Sequence, residues 1–113
     1  LYLVITVFKD VITLITVERV SDGAGGYENK PGTKRTVFAN KKSATRSEFY
    51  LAQQADLEVE VVFTIYASEY HDEQVIEHEN QYYSVIRTFE KGDFIELTCQ
   101  KRIGGLDEVL SDE

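Results

Sequence analysis

The chain has 113 residues, 42% of them hydrophobic and 28% charged, a composition that excludes a disordered chain and suffices for one globular domain. Its net charge of −8 argues against a general nucleic-acid-binding protein, because such proteins usually present a basic face. Cys99 is the only cysteine, so no disulfide can form within the chain.

The first twenty residues are dominated by apolar and β-branched side chains, with Lys9 and Asp10 at their centre. This charged pair argues against a membrane-spanning helix. A signal peptide is not indicated either, because the segment has neither a basic start nor a small-residue cleavage site. The enrichment in Val, Ile and Thr favours a strand from Asp10 to about Val20. Residues 1–8 are predicted to form an extra strand or an arm that docks on a neighbour.

Glycine and proline dominate residues 21–33, which we predict to be a long hairpin loop. The Gly-Ala-Gly-Gly run in this loop lacks the Lys-Ser/Thr of a phosphate-binding loop, so nucleotide binding is not expected. A second strand is predicted over Thr33–Lys41. Thr45 and Glu48 then form a capping box, which predicts a short central helix over Thr45–Asp56.

The clearest strand signal in the chain is Leu57–Tyr66, where apolar residues occupy every second position. A hairpin is predicted next, with Val75–His78 and Gln81–Phe89 joined by Glu79-Asn80, because Asn tolerates the left-handed conformation of a tight turn. Phe94–Arg102 alternates again and is the last predicted strand.

About six strands at short spacing predict a mainly β protein, either a small β-barrel or a sandwich, with one short central helix. We favour the barrel, because closure removes exposed strand edges. Gly104-Gly105 ends the predicted domain. Residues 1–103 are therefore expected to form a single domain, and residues 104–113 a flexible acidic tail.

Residues suited to catalysis are sparse. His71-Asp72-Glu73 and Glu77-His78-Glu79 resemble a metal or acid–base cluster, but their spacing does not make the histidines converge, and exposed polar turns are the preferred interpretation. Cys99 shares a strand face with Ile95 and Leu97, which indicates a buried thiol rather than a nucleophile. With no triad, metal set or phosphate loop, we expect neither an enzyme nor a bound cofactor.

Charge is distributed unevenly along the chain. Six of the twelve basic residues fall between residues 29 and 47, where there is no acid, whereas residues 47–86 hold nine acids and no Lys or Arg. Two interpretations are open: an unevenly charged solvated surface, or copies that dock side by side with a basic segment against an acidic neighbour. The basic segment Lys34–Arg46 also suits contact with DNA, and the seven tyrosines suit stacking on single strands, although Tyr66–Tyr83 lies in the acidic block.

Four segments, in their order and spacing, resemble the head-closure or stopper proteins of long-tailed bacteriophages, within the head–tail joining and head completion family. These segments are Phe8–Thr13, Arg46–Gln54, Gln81–Ile86 and Ile95–Arg102. Arg46–Gln54 resembles the family's (Arg/Gln)-x-Glu-x-Tyr-x-Ala-x-Gln helix, Gln81–Ile86 its Tyr-x-Ile strand, and Ile95–Arg102 its terminal Ile-Glu-Leu strand ending in Arg.

The resemblance implies a structural virion protein without catalysis: a β-barrel subunit in a hexameric ring below the portal and its adaptor ring. Such a ring closes the exit channel over double-stranded DNA after packaging, and it offers a surface to tail-completion or tail-tube proteins. Assembly in the bacterial host cytoplasm and no membrane contact are implied as well. The alternatives are a tail-completion subunit of the same connector and a small nucleic-acid-binding β-barrel.

In this family a loop beside the central helix faces the channel, which the resemblance places around Asn40–Arg46. The candidates for facing DNA are the basic residues of that loop, Lys41, Lys42 and Arg46. Candidate contacts between subunits come from the charged segments and the predicted helix: Lys34, Arg35, Glu58, Glu60, Tyr50 and Gln53.

Overall fold

Antiparallel strands build this chain, for which a computed structural model describes residues 8–43 and 61–111. The described part holds six strands: β1 (Asp10–Ser21), β2 (Tyr27–Ser43), β3 (Val61–Tyr66), β4 (Val75–His78), β5 (Gln81–Lys91) and β6 (Phe94–Arg102). A 3₁₀ turn, Ala67–Glu69, follows β3, and a helix, α1 (Leu106–Ser111), follows β6.

The six strands close into a barrel in the order β1-β2-β3-β6-β5-β4, because β4 returns to pair with β1. Every pairing is antiparallel. Each strand therefore has a hydrogen-bonded neighbour on both sides within the barrel, and closure removes the open edges that a flat sheet would expose. The prediction of a mainly β barrel of about six strands is confirmed.

The core consists of the inward-facing residues of these strands. Phe63 on β3 and Leu97 on β6 are cross-strand partners and have no exposed surface. Phe63 also packs edge-on against the rings of His78 and Tyr83, with centroid distances of 5.5 and 5.3 Å. Period-two alternation predicted the inward faces of β3 and β6, since successive side chains of a strand point to opposite sides.

The hairpin of β4 and β5 forms where the sequence predicts it. Its two central residues, Glu79 and Asn80, have φ angles of 50° and 64°. Two successive left-handed residues define a type I′ turn, whose twist matches that of the flanking strands. The last strand, β6, also has the predicted bounds.

The predicted loop over residues 21–33 is wrong for most of its length, because β2 already covers it from residue 27. The backbone N–H of Thr33 donates to Thr16 Oγ1 at 2.7 Å, and a Cβ on Gly32 would collide with that oxygen. Gly32 is therefore a strand residue that allows close approach rather than a loop residue. The connection between β1 and β2 shrinks to residues 22–26.

Beyond the barrel, β1 and β2 continue as a two-stranded arm, formed by Val17–Ser21 and Tyr27–Pro31. A register irregularity between Ile15 and Val17 marks the point where the arm begins, as expected of a bulge that redirects a strand. Five residues per strand at about 3.3 Å each make the arm roughly 16 Å long.

The segment after β6 differs from the flexible acidic tail predicted for residues 104–113. It contains α1, in which Val109 and Leu110 are buried. Asn29 on the arm donates its Nδ2–H to the carbonyl of Leu110 at 2.9 Å. The acidic residues around this apolar pair suggested a solvated tail, but Val109 and Leu110, with Leu106 packed beside them, anchor the short helix.

Helix α1 covers the outside of the barrel, where Val109 and Leu110 pack on Ile15 and Val75. Replacing Leu110 with Ala is expected to lower the free energy of unfolding by about 2–3 kcal/mol, because it removes buried methyl groups from this second core. Urea unfolding measures the change. Ile103→Ala is the control, since Ile103 is 91% exposed and should unfold like the parent chain. Equal midpoints for both variants would contradict the prediction.

Three predictions concern residues outside the described ranges. These are the central helix Thr45–Asp56, the first part of the strand Leu57–Tyr66, and the strand or arm in residues 1–7. The remainder of that strand, Val61–Tyr66, is described and forms β3, as predicted.

Candidate functional site

The end of β2 carries the described residues that the resemblance assigned to the DNA channel. Lys41 and Lys42 are both exposed and stand opposite Phe63 and Val62 of β3. Lys42 Nζ lies 3.2 Å from Glu96 Oε2. Both side chains are partly exposed to solvent, so this ion pair is worth about 1 kcal/mol, and Lys42 can leave Glu96 for an anionic ligand.

Asp10 fixes the backbone at Lys41. Its Oδ2 accepts the Lys41 N–H at 3.0 Å, and its Oδ1 lies 3.3 Å from His78 Nε2. His78 is buried, which corrects the prediction of an exposed polar turn at Glu77–Glu79. Its inward orientation follows from its place in β4, where the ring meets Phe63 in the core.

Arg35 is engaged within the subunit. Its Nε and NH2 groups lie 3.1 and 2.6 Å from Glu73 Oε2, and NH2 also donates to the carbonyl of Glu69. Glu73 is 1% exposed and accepts the His71 N–H at 2.6 Å through its other oxygen. Burial acts to raise the pKa of Glu73, but the hydrogen bonds from Arg35 and from the His71 N–H outweigh it and hold the pKa below its usual value.

This ion pair ties β2 to the connector between β3 and β4. Tyr70 supports the same connector, since its hydroxyl donates to the carbonyl of Glu73 at 2.7 Å. The sequence predicted an exposed turn at His71–Glu73, and that prediction is wrong for Glu73. Arg35 lies far away in sequence, so only the closed sheet brings the two side chains together.

The other candidate residues, whether for subunit contacts or for the channel, divide into two groups. Lys34 is exposed on β2, beside the point where the arm begins. Five candidates lie outside the described ranges: Arg46, Tyr50, Gln53, Glu58 and Glu60. A contact role for all of these residues, and for Arg35, stays a prediction.

Side chains suited to metal binding or nucleophilic catalysis are few in the part of the chain that the structure describes. No cluster of three or more His, Cys, Asp or Glu side chains in residues 8–43 and 61–111 could hold a metal ion. Cys99 is fully buried, and burial raises the pKa of its thiol far above the usual range. A protonated, enclosed thiol does not act as a nucleophile.

An exposed aromatic face on the outside of β1, β2, β3 and β6 was not predicted. The rings of Tyr66 and Phe94 stack at 5.1 Å, and Phe8 lies 5.0 Å from Tyr66. Phe38 and Val11 are cross-strand partners and are 64% and 50% exposed. Together these five residues form the aromatic face.

The two parts of the aromatic face lie side by side. Asn40, two residues beyond Phe38 on the same side of β2, accepts the backbone N–H of Lys9, which follows Phe8. Asn40 also pairs with Thr64, two residues before Tyr66. The sequence did not reveal this face, because no inward or outward facing was predicted for the apolar residues of β1 and β2.

The sequence of this barrel matches a known protein family. A model of the phage head completion protein family matches residues 5–102. The chain belongs to this family. The match spans all six described strands, and membership of the head completion family makes the chain a structural component of the phage particle. Among curated proteins, no sequence matches the chain.

The head completion family match confirms the resemblance drawn from the four sequence segments. Two of those segments, at the start of β5 and along β6, form adjacent strands of the barrel. None of the helices in the described ranges is long and apolar enough to cross a membrane.

Proposed function

We propose that this chain is a subunit of a hexameric ring in the head–tail connector, below the portal and its adaptor ring. The ring closes the DNA exit channel after packaging and presents a surface to a tail-completion or tail-tube protein. The observation that carries this proposal is the match to the head completion family over residues 5–102. The finished ring belongs to the virion, and its subunits assemble in the bacterial host cytoplasm.

The end of β2 supports the DNA-closing part of the proposal. Lys41 and Lys42 are exposed there, and Asp10 and β3 hold their backbone in place. In a ring, these lysines and Arg46 of each subunit face the channel, so that weak phosphate contacts repeat around the circumference. Repetition compensates for the small number of charges on one subunit.

The test uses DNA-filled heads that lack this protein, with the purified chain added back. We expect electron microscopy to show a six-fold ring below the adaptor, and we expect the DNA to become resistant to added nuclease. The double variant Lys41→Glu/Lys42→Glu should still form the ring but protect the DNA less. Lys30→Glu, which changes an exposed lysine on the arm, is the matched control. A chain that never joins the connector would overturn the proposal.

A small nucleic-acid-binding barrel is the second candidate, because Lys9 and Lys42 lie beside the exposed aromatic face. Basic groups next to exposed rings are typical of surfaces that bind single strands. A gel-shift titration with single- and double-stranded DNA at several salt concentrations distinguishes the two. Tight binding of DNA by the isolated subunit favours this candidate, whereas binding that appears only with the assembled ring favours the connector. A tail-completion subunit, in turn, would join the tail side first.

A further inference from the structure

The barrel has two contrasting sides. The aromatic face lies over the β2–β3 seam, which is opposite the β4–β5 seam in the closed strand order. The exposed Lys9 flanks the aromatic face, next to Phe8. The opposite side carries acidic residues on β4 and its turn, Glu77 and Glu79.

An apolar side chain projects from the acidic side. Ile103 follows β6 and is 91% exposed, more than any other large apolar residue in the described ranges. It lies next to the β4–β5 turn, because Gln81, the first residue of β5, donates its side-chain amide to the carbonyl of Arg102. The acidic side therefore combines a protruding isoleucine with the carboxylate of Glu79.

These features are complementary. The aromatic face offers a half-exposed apolar surface with Lys9 at its margin, and the opposite side offers an apolar projection with carboxylates at its margin. Apolar contact supplies affinity, while opposed charges fix register and orientation. Because the two surfaces differ, copies joined through them associate head to tail, the arrangement that gives a ring when the rotation between copies closes.

We propose that the aromatic face of one subunit receives Ile103 and the acidic β4–β5 turn of the next copy of this chain. This contact rests on the ring of the proposed function and identifies the surfaces that form it. The occupant of the aromatic face is thus a second copy rather than the adaptor or the tail protein. Every subunit in the ring gives Ile103 to one neighbour and accepts that of the other.

The first experiment traps the contact. The double variant Phe38→Cys/Ile103→Cys, oxidised in the assembled connector, should give covalent oligomers that extend beyond dimers to the full ring on a denaturing gel. Each single variant should give no ladder, because a head-to-tail contact never brings two identical positions together. Cys99 is buried, so the parent chain should stay monomeric on the same gel.

The second experiment measures association. Phe38→Asp and Ile103→Asp should each weaken self-association by about tenfold or more, because they place a carboxylate in an apolar contact. Tyr27→Asp is the control: Tyr27 is an aromatic residue on the arm with the same 64% exposure as Phe38, and its change should alter association less than twofold. Thermal unfolding verifies that all three variants fold.

The outcomes separate the two proposals. If the unmodified chain forms rings while the double cysteine variant gives no ladder, the assignment of surfaces is overturned and the ring function stands. If Phe38→Asp and Ile103→Asp associate as the parent does, the assignment is overturned as well. If the unmodified chain forms no ring on the connector and no ladder appears, both proposals fail.

Discussion

Replacing Phe63 with Ala is expected to lower the free energy of unfolding by about 3–5 kcal/mol, a large part of the roughly 5–15 kcal/mol that stabilises a domain. Phe63 has no exposed surface and touches two other rings, those of His78 and Tyr83. Both rings lose their edge-on partner when the side chain is cut back. The strands around the gap are hydrogen-bonded on both sides, so a closed barrel can relax only partly into it.

Denaturant unfolding at neutral pH measures this loss. Phe89→Ala is the matched control, because Phe89 is 58% exposed and loses little contact on truncation, so its free energy of unfolding should change by less than about 1 kcal/mol. Phe63→Leu should fall between the two variants, since it retains most of the buried apolar volume. A loss for Phe63→Ala no larger than that of Phe89→Ala would mean that the barrel core lies elsewhere.

Removing the guanidinium of Arg35 should have an effect of similar size. Arg35→Ala leaves the carboxylate of Glu73 buried without its cation, and such uncompensated charges cost about 3–5 kcal/mol. Two hydrogen bonds from Arg35 to Glu73 Oε2 disappear at once, together with the one to the carbonyl of Glu69. The connector between β3 and β4 then loses its link to β2.

The stability deficit of Arg35→Ala should also change with pH in a defined direction. In the parent chain the pKa of Glu73 is lowered by folding, so its contribution is present at neutral pH and is lost as pH falls through the folded-state pKa. In Arg35→Ala burial remains, opposed by hydrogen bonds from the backbone N–H groups of His71 and Glu73 alone, and protonation of Glu73 relieves the buried charge. The deficit of the variant relative to the parent should therefore be largest at neutral pH and shrink towards acid pH.

The control for Arg35→Ala is Lys30→Ala. It removes the ion pair between Lys30 and Glu28, whose atoms lie 3.4 Å apart and whose side chains are more than half exposed. Exposed pairs of this kind contribute at most about 1 kcal/mol, so the variant should unfold like the parent at every pH. Equal losses for Arg35→Ala and Lys30→Ala, or a deficit for Arg35→Ala that grows in acid, would contradict the buried ion pair.

Local patterns in the sequence predicted much of the barrel. Alternation in β3 and β6 and the Glu79-Asn80 turn depend on neighbouring residues, and these elements lie where the sequence predicts them. The arm was missed because Pro31 and Gly32 are typical of loops. They are tolerated in β2, where Gly32 gives Thr16 the space it needs.

The candidate site was less accessible to sequence analysis, because it depends on contacts between distant residues. The aromatic face joins Phe8 to Tyr66 and Phe94, and the ion pair joins Arg35 to Glu73. Neither pairing follows from spacing. The exposure of Phe38 could not be predicted either. The sequence of a strand does not by itself say which of its two faces points to solvent.

The closed sheet has a mechanical consequence for Lys41. Its backbone is clamped by Asp10 of β1 and by β3, and Asp10 in turn reaches His78 on β4. A push on the end of β2 is therefore shared at once among three strands. Because the barrel offers no free edge from which a strand could peel, such a load acts in shear on many hydrogen bonds together instead of opening them one after another.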